Sequence, residues 1–235
     1  MSLKNGLLVA AALGLAATGA AHATSFDAVG DFSLTNGNPN GAWSYLAGGA
    51  LQTTTSTACE GVAGLSCWSN GGALPDLAIV GKNVTGSALT GVPGIVTVPV
   101  DHLDLAPQDI ASVTVRWTAP AGGTYAISGD FLGLALNEQA HGVAVDENGV
   151  SLFTLANVDS QGQSDPFATT LALSAGDTLD FVVNTGPGDT NQTGDGPLFL
   201  DTGLTATITT IPEPATSTLL VAGLLAFGIV RRRAS

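Results

Sequence analysis

The stretch Val113-Thr114-Val115-Arg116-Trp117 alternates apolar and polar side chains with a period of two. Successive side chains of a strand point to opposite faces, so this period marks a strand with one face toward a core. The turn Pro120-Ala121-Gly122-Gly123 follows, and Tyr125, Ile127 and Phe131 carry a second alternation. Gly142-Val143-Ala144-Val145 leads through Asp146-Glu147-Asn148-Gly149 into Val150 to Leu155. Asn-Gly between two apolar runs suits a hairpin turn whose two central residues both need positive φ. Thr169 to Leu173, the turn Ser174-Ala175-Gly176-Asp177, and then Leu179, Phe181 and Val183 repeat the pattern. Leu204, Ala206 and Ile208 supply a last strand.

Upstream of this region the signals are irregular. Strand-like pieces fall at Asp31 to Thr35, Trp43 to Leu46, Leu77 to Val80 and Ile95 to Val100. Turn-rich stretches such as Asn36-Gly37-Asn38-Pro39-Asn40-Gly41 and Ser69-Asn70-Gly71-Gly72 separate them. Lys and Glu, the usual surface helix formers, are scarce, and no helix-period segment longer than two turns precedes residue 212. Many short strands spaced by turns predict an all-β fold, a sandwich or a barrel, over residues 24–211.

Both ends of the chain have a different character. Residues 1–23 read as a secretory signal peptide: Lys4 supplies the positive start, Gly6 to Ala20 is apolar, and Ala21-His22-Ala23 suits a signal peptidase. Residues 212–235 read as a tail. Pro212-Glu213-Pro214 breaks the structure after the last strand, and Ala215 to Val230 carries no charge. As a helix that run would reach about 24 Å, short of the roughly 30 Å hydrocarbon core of a bilayer. Arg231, Arg232 and Arg233 would hold the cytoplasmic side.

The tail resembles the PEP-CTERM sorting signal of Gram-negative bacteria, in the order and spacing of Pro212-Glu213-Pro214, the apolar stretch Leu219 to Val230 and the arginine cluster. The resemblance implies recognition and processing by an exosortase near the Pro-Glu-Pro motif. It also implies export across the inner membrane, transient anchoring through the C-terminal helix, and association with extracellular polysaccharide at the cell surface or beyond. The domain ahead of the tail has a family look as well. Asn38-Pro39-Asn40-Gly41-Ala42-Trp43-Ser44-Tyr45, Val115 to Tyr125, Asn148 to Phe153, Gly176 to Val183 and Asp201 to Ala206 resemble the exported domain found before many such tails. That resemblance implies a single jelly-roll-like β-sandwich similar to carbohydrate-binding modules, and it transfers no catalytic residue. Leu103-Asp104-Leu105-Ala106-Pro107 departs from the Leu-His-Pro-Gly expected at that loop.

Between residues 24 and 211 the only cations are Lys82 and Arg116, set against 18 acids, a net charge of −16. Such a surface repels phosphates and excludes nucleic acid as a partner. Cys59 and Cys67, exported to an oxidising compartment, enclose a short loop and suit a disulfide. Two thiols without a nearby His fall short of a zinc ligand set.

Candidate chemistry is sparse. His102 and His141 lie in no nucleophile motif and no metal-binding spacing. Asp104 with Asp109, or Asp177 with Asp180, are acid pairs of the type a glycosidase needs, but turn and edge roles account for them. Asp189-Thr190-Asn191-Gln192-Thr193-Gly194-Asp195-Gly196 alternates oxygen donors and suits calcium, with Asp189, Asn191 and Asp195 as ligands, although turn chemistry accounts for the same residues. Trp43 and Tyr45 share parity after a turn and could stack on sugar faces or pack in the core; Trp117 reads as core, and Trp68 as a cover for the disulfide. The expectation is a non-enzymatic exported protein without a required cofactor. A calcium-assisted carbohydrate-binding module and a glycan-active hydrolase are its two alternatives.

Overall fold

The computed structural model describes residues 22–73, 77–107, 112–136, 141–155, 157–185 and 201–212, nearly all of them in one compact unit, Ala23–Ile211. The chain enters with β1 (Ser25–Asp27) and, after a looped stretch, reaches β2 (Trp43–Ala47), β3 (Ala50–Leu51) and β4 (Thr54–Ser56). A tight turn at Cys59–Gly61 leads to β5 (Leu65–Ser69), β6 (Ile79–Asn83), β7 (Leu89–Thr90) and, past one helical turn at Val92–Ile95, β8 (Thr97–Val98). Then follow β9 (Leu103–Ala106), β10 (Ser112–Thr118), β11 (Gly123–Gly133), β12 (Gly142–Glu147), β13 (Val150–Thr154), β14 (Ser164–Leu173), β15 (Thr178–Asn184) and β16 (Thr202–Ile211).

These strands build two antiparallel sheets packed face to face, the jelly-roll-like β-sandwich expected. The larger sheet runs β14-β11-β16-β9-β6-β5-β4, with β1 on the same edge of β16 as β9. The smaller runs β13-β12-β15-β10-β2-β3, and β7 pairs with β8 apart from both. The turns at Pro120–Gly123 and Ser174–Asp177 each carry the chain from one sheet to the other. Asn148 and Gly149 close the hairpin between β12 and β13 with φ of 50° and 79°, the positive values such a turn demands.

Alternation sorts side chains as the sequence predicts. Val113, Val115 and Trp117 of β10 point inward beside Val183, Phe181 and Leu179 of β15, while Arg116 and Asp180 meet on the outer face. From the larger sheet Tyr125, Ile127 and Phe131 of β11 and Leu204, Ala206 and Ile208 of β16 complete the core. A second, smaller cluster occupies the outer face of the larger sheet: Leu65, Cys67, Ile79 and Ala106, covered by Val96, Val98, Leu134 and Ala135. The disulfide Cys59–Cys67 forms there, with a Cα–Cα separation of 6.1 Å. Asp31 to Thr35 is a loop rather than a strand. Its polar groups bond to side chains instead of a ladder: Asp31 accepts from the Trp43 indole and the Ser33 carbonyl accepts from the Trp68 indole.

Gly129 marks the tightest approach in the core. A Cβ there would lie 2.0 Å from the Thr205 carbonyl oxygen and 2.6 Å from Cζ of Phe167. Neither a ladder carbonyl nor a packed ring can move aside cheaply. Gly129→Ala is therefore expected to destabilise the domain by on the order of 3 kcal/mol. Gly123→Ala, whose nearest contact is a Tyr125 ring atom at 3.8 Å, is expected to cost less than about 1 kcal/mol. Denaturant melts of the two variants check the contrast.

Candidate functional site

Trp43 and Tyr45 share one side, as their parity implies, and that side is the core. Trp43 is 1% exposed and Tyr45 is 0% exposed. The Tyr45 ring stacks on Trp68 at 6.5 Å and meets Phe32 at 5.2 Å, and Trp43 lies 6.3 Å from Phe181. Neither ring offers a face to a sugar, so stacking by Trp43 and Tyr45 gives way to packing. Burial raises the Tyr45 phenol above its ordinary range; nearby Asn40 opposes the shift and Asp31 adds to it. Trp117 is core, as expected. Trp68 does not cover the disulfide: its side chain belongs to the inner core, whereas its neighbour Cys67 points into the outer cluster.

The histidines serve different surroundings. His141 is fully buried, with Nε2 in a short hydrogen bond to the Thr202 hydroxyl. His102, with 12% of its side chain exposed, stands between two carboxylates: Nδ1 is 2.9 Å from Asp101 Oδ1 and Nε2 is 3.7 Å from Asp130 Oδ2. Asp130 is held further by the hydroxyls of Thr205 and Ser164, and its own amide donates to Thr205 Oγ1. Beside this cluster the outer face of the larger sheet carries an open groove of about 300 Å³, lined by Asp27, Val29, Gly30, Asp101, Thr205 and Thr207. Among the described residues no hydroxyl is hydrogen-bonded to His102, so the activated nucleophile of a triad is not assembled there.

The suspected acid pairs have structural places. Asp177 accepts from Ser174 N at 2.7 Å and from the Asn148 side chain at 3.2 Å, a turn role. Asp180 lies in a central strand, not at an edge, and takes Arg116 in a two-pronged pair at 2.6 and 2.7 Å. Asp104 is fully buried in the ladder, in register with Gly81 on one side and Gly203 on the other. Asp109 lies outside the described residues. So do the calcium candidates Asp189, Asn191 and Asp195, the tail residues Glu213, Pro214, Arg231, Arg232 and Arg233, and the signal segment up to residue 21; Pro212 directly follows β16. Among the described residues no cluster of three His, Cys, Asp or Glu side chains could hold a metal, and no helix is long and apolar enough to cross a membrane.

Sequence reasoning missed Asp101, Asp130 and Thr205 because β11, β16 and the turn before β9 meet only in the folded sheet. The adjacent pair Asp101-His102 was its one local signal.

The hydrogen bond from His102 holds the Asp101 carboxyl below its ordinary value. A lowered carboxyl pKa adds stability above the ordinary carboxylate range, and that contribution is lost as pH falls through the lowered value. In His102→Ala the Asp101 titration is expected to rise toward about 3.9. The acid-side loss of stability below about pH 4 shrinks accordingly. Carboxyl NMR titration and melts against pH check both.

No protein-family model matches the chain, and no curated protein does. Among solved structures it is similar to a family 35 carbohydrate-binding module from Clostridium thermocellum, at 11% identity and TM-score 0.29 over 52% of this chain and 85% of that one. It is similar also to a Podospora anserina GH26-CBM35 β-(1,4)-mannanase, at 15% and 0.31 over 64% and 29%, and to rabbit GITRL, at 14% and 0.26 over 44% and 75%. These three proteins differ in role, and likenesses of this size carry no ligand or activity across.

Proposed function

We propose that this chain is a non-enzymatic exported surface or matrix protein of a Gram-negative bacterium, released from a transient membrane anchor by an exosortase and associated with extracellular polysaccharide. The observation that carries the reading is the order of parts in the tail: Pro212-Glu213-Pro214, then the uncharged run Ala215 to Val230, then Arg231-Arg232-Arg233. A helix about 24 Å long is short for a lasting anchor and adequate for holding a domain at the membrane until it is cut. The Cys59–Cys67 disulfide suits the oxidising compartment that export implies. A tightly filled sandwich suits a carrier of surface features better than an enzyme with a deep cleft.

Mass spectrometry of the protein isolated from its native host tests the processing step. The expected mature form begins at Thr24 and lacks Arg231 to Arg233; a mature form that keeps the arginines overturns the reading. The calcium-assisted version of the reading rests on Asp189, Asn191 and Asp195 as oxygen donors. It requires that excess calcium raise the melting midpoint, and an unchanged midpoint removes it.

A further inference from the structure

β13 and β14 are the outermost strands of their two sheets, and they lie on the same flank of the sandwich. Phe153 of β13 meets Phe167 of β14 there, with ring centroids 6.5 Å apart. The core comes to the surface along this flank. Leu152, Phe153, Leu155 and Leu171 pack against it while staying partly exposed, and Val150 is 69% exposed.

β14 is ten residues long, and among the described residues no strand pairs with its outer edge. The register fixes which backbone groups face that edge. The Asp130 N–H points to β16, where it donates to Thr205 Oγ1. Pro166, opposite Asp130 in the ladder, therefore turns its backbone away from β11. A proline has no N–H and suits such a position. Ala168, Thr170 and Ala172 share its parity, so their N–H and C=O groups face outward, and all three residues are exposed.

Long edges are usually blunted by charges, bulges or inward twists. β14 pairs with β11 without a register shift, and Asp165 near its start is the only charge on either edge strand. Elsewhere the domain is crowded with acids. Its 18 carboxylates and net charge of −16 make two copies repel wherever these groups meet. From Pro166 to Leu173 and from Val150 to Leu155 there is no charge to set against another.

We propose that two copies of this chain join through this flank, their β14 strands pairing antiparallel about a two-fold axis so that one sheet runs across the dimer. A charged partner finds no counter-charge along the strip. What fits it is another uncharged strand edge, and the chain itself supplies one. Two-fold antiparallel pairing takes the same groups from each copy, so the outward N–H and C=O groups of Ala168, Thr170 and Ala172 serve as both donors and acceptors. Main-chain bonds hold the pair, and the partly exposed apolar side chains beside the edge lose water on contact.

The test uses the full chain in non-ionic detergent, which keeps its apolar ends apart, and sedimentation velocity over a range of concentrations. A dimer is expected, and higher salt is expected to tighten it by screening the repulsion between two acidic domains. In the dimer the Thr170 and Ala172 amides are expected to exchange with deuterium at least ten-fold more slowly than in the dilute monomer. Thr170→Pro removes an outward donor, and Thr170→Asp places a carboxylate in the uncharged strip at an exposed side chain. Each is expected to weaken dimerisation at least ten-fold, whereas Thr170→Val leaves it unchanged; if the proline variant fails to fold, the aspartate variant decides. A monomer at every concentration overturns the proposal. So does a dimer that survives Thr170→Asp, or one whose Thr170 and Ala172 amides exchange as fast as in the monomer, because the association then lies elsewhere on the chain.

Discussion

Seven residue pairs join β10 to β15, and their inner row sets Trp117, Val115 and Val113 beside Leu179, Phe181 and Val183. β2 and β12 extend the rows outward, with Tyr45 beside Val115 and Val145 beside Phe181. A slip of one residue would turn Arg116 and Asp180 inward and expel the core, so the register is strongly specified. Phe181 fixes more than its own sheet. It lies 5.5 Å from Phe167 of the opposite sheet, and Phe167 in turn passes where a side chain on Gly129 would stand. Truncating a ring in such a chain of contacts costs about 3–5 kcal/mol, because its neighbours cannot close the gap.

The second half of the fold is legible in the sequence because its strands have one buried and one outward face. Alternation survives in β10, β11 and β15, and Asn148-Gly149 announces its hairpin. β5, β6 and β9 are hidden for a physical reason. Leu65, Cys67, Ile79 and Ala106 are covered on the outer face while Trp68, Val80, Leu103 and Leu105 fill the inner one, so both parities are apolar and the period vanishes. Parity alone placed Trp43 and Tyr45 together; it could not say that the shared side is the interior. The meeting of His102 with Asp130 was beyond any local reading, since it depends on β11 and β9 flanking the same strand, β16.

Charge constrains the exterior as strongly as packing constrains the interior. Both cations of the domain are spent inside it: Arg116 on Asp180, and Lys82 on the Val29 carbonyl at 2.6 Å. Asp146 faces Asp180 across the ladder, and its carboxyl is raised, first by burial and further by Asp180, with Ser151 opposing. A raised carboxyl pKa favours the fold on the acid side and withdraws that support as pH rises through it. Asp101 works in the opposite sense. The two acids therefore pull the pH dependence of stability in opposite directions, and the remaining carboxylates leave an outer surface without a free cation among the described residues.

The loop from Ala28 to Gly41 fails as a strand for the same reason that it forms a polar rim. Several of its amides and carbonyls are satisfied by side chains: Asp27 takes the amides of Val29 and Gly30, Asp31 the Asp27 amide, and Asn40 the Asp31 carbonyl. Side chains used this way are lost to alternation and become fixed in space. A fixed donor and acceptor set loses less entropy on meeting a ligand than a set on mobile side chains. With the interior filled by Trp43, Tyr45, Trp117 and Phe181, fixed polar groups gather at such a rim, where backbone irregularity and preorganised polarity share one cause.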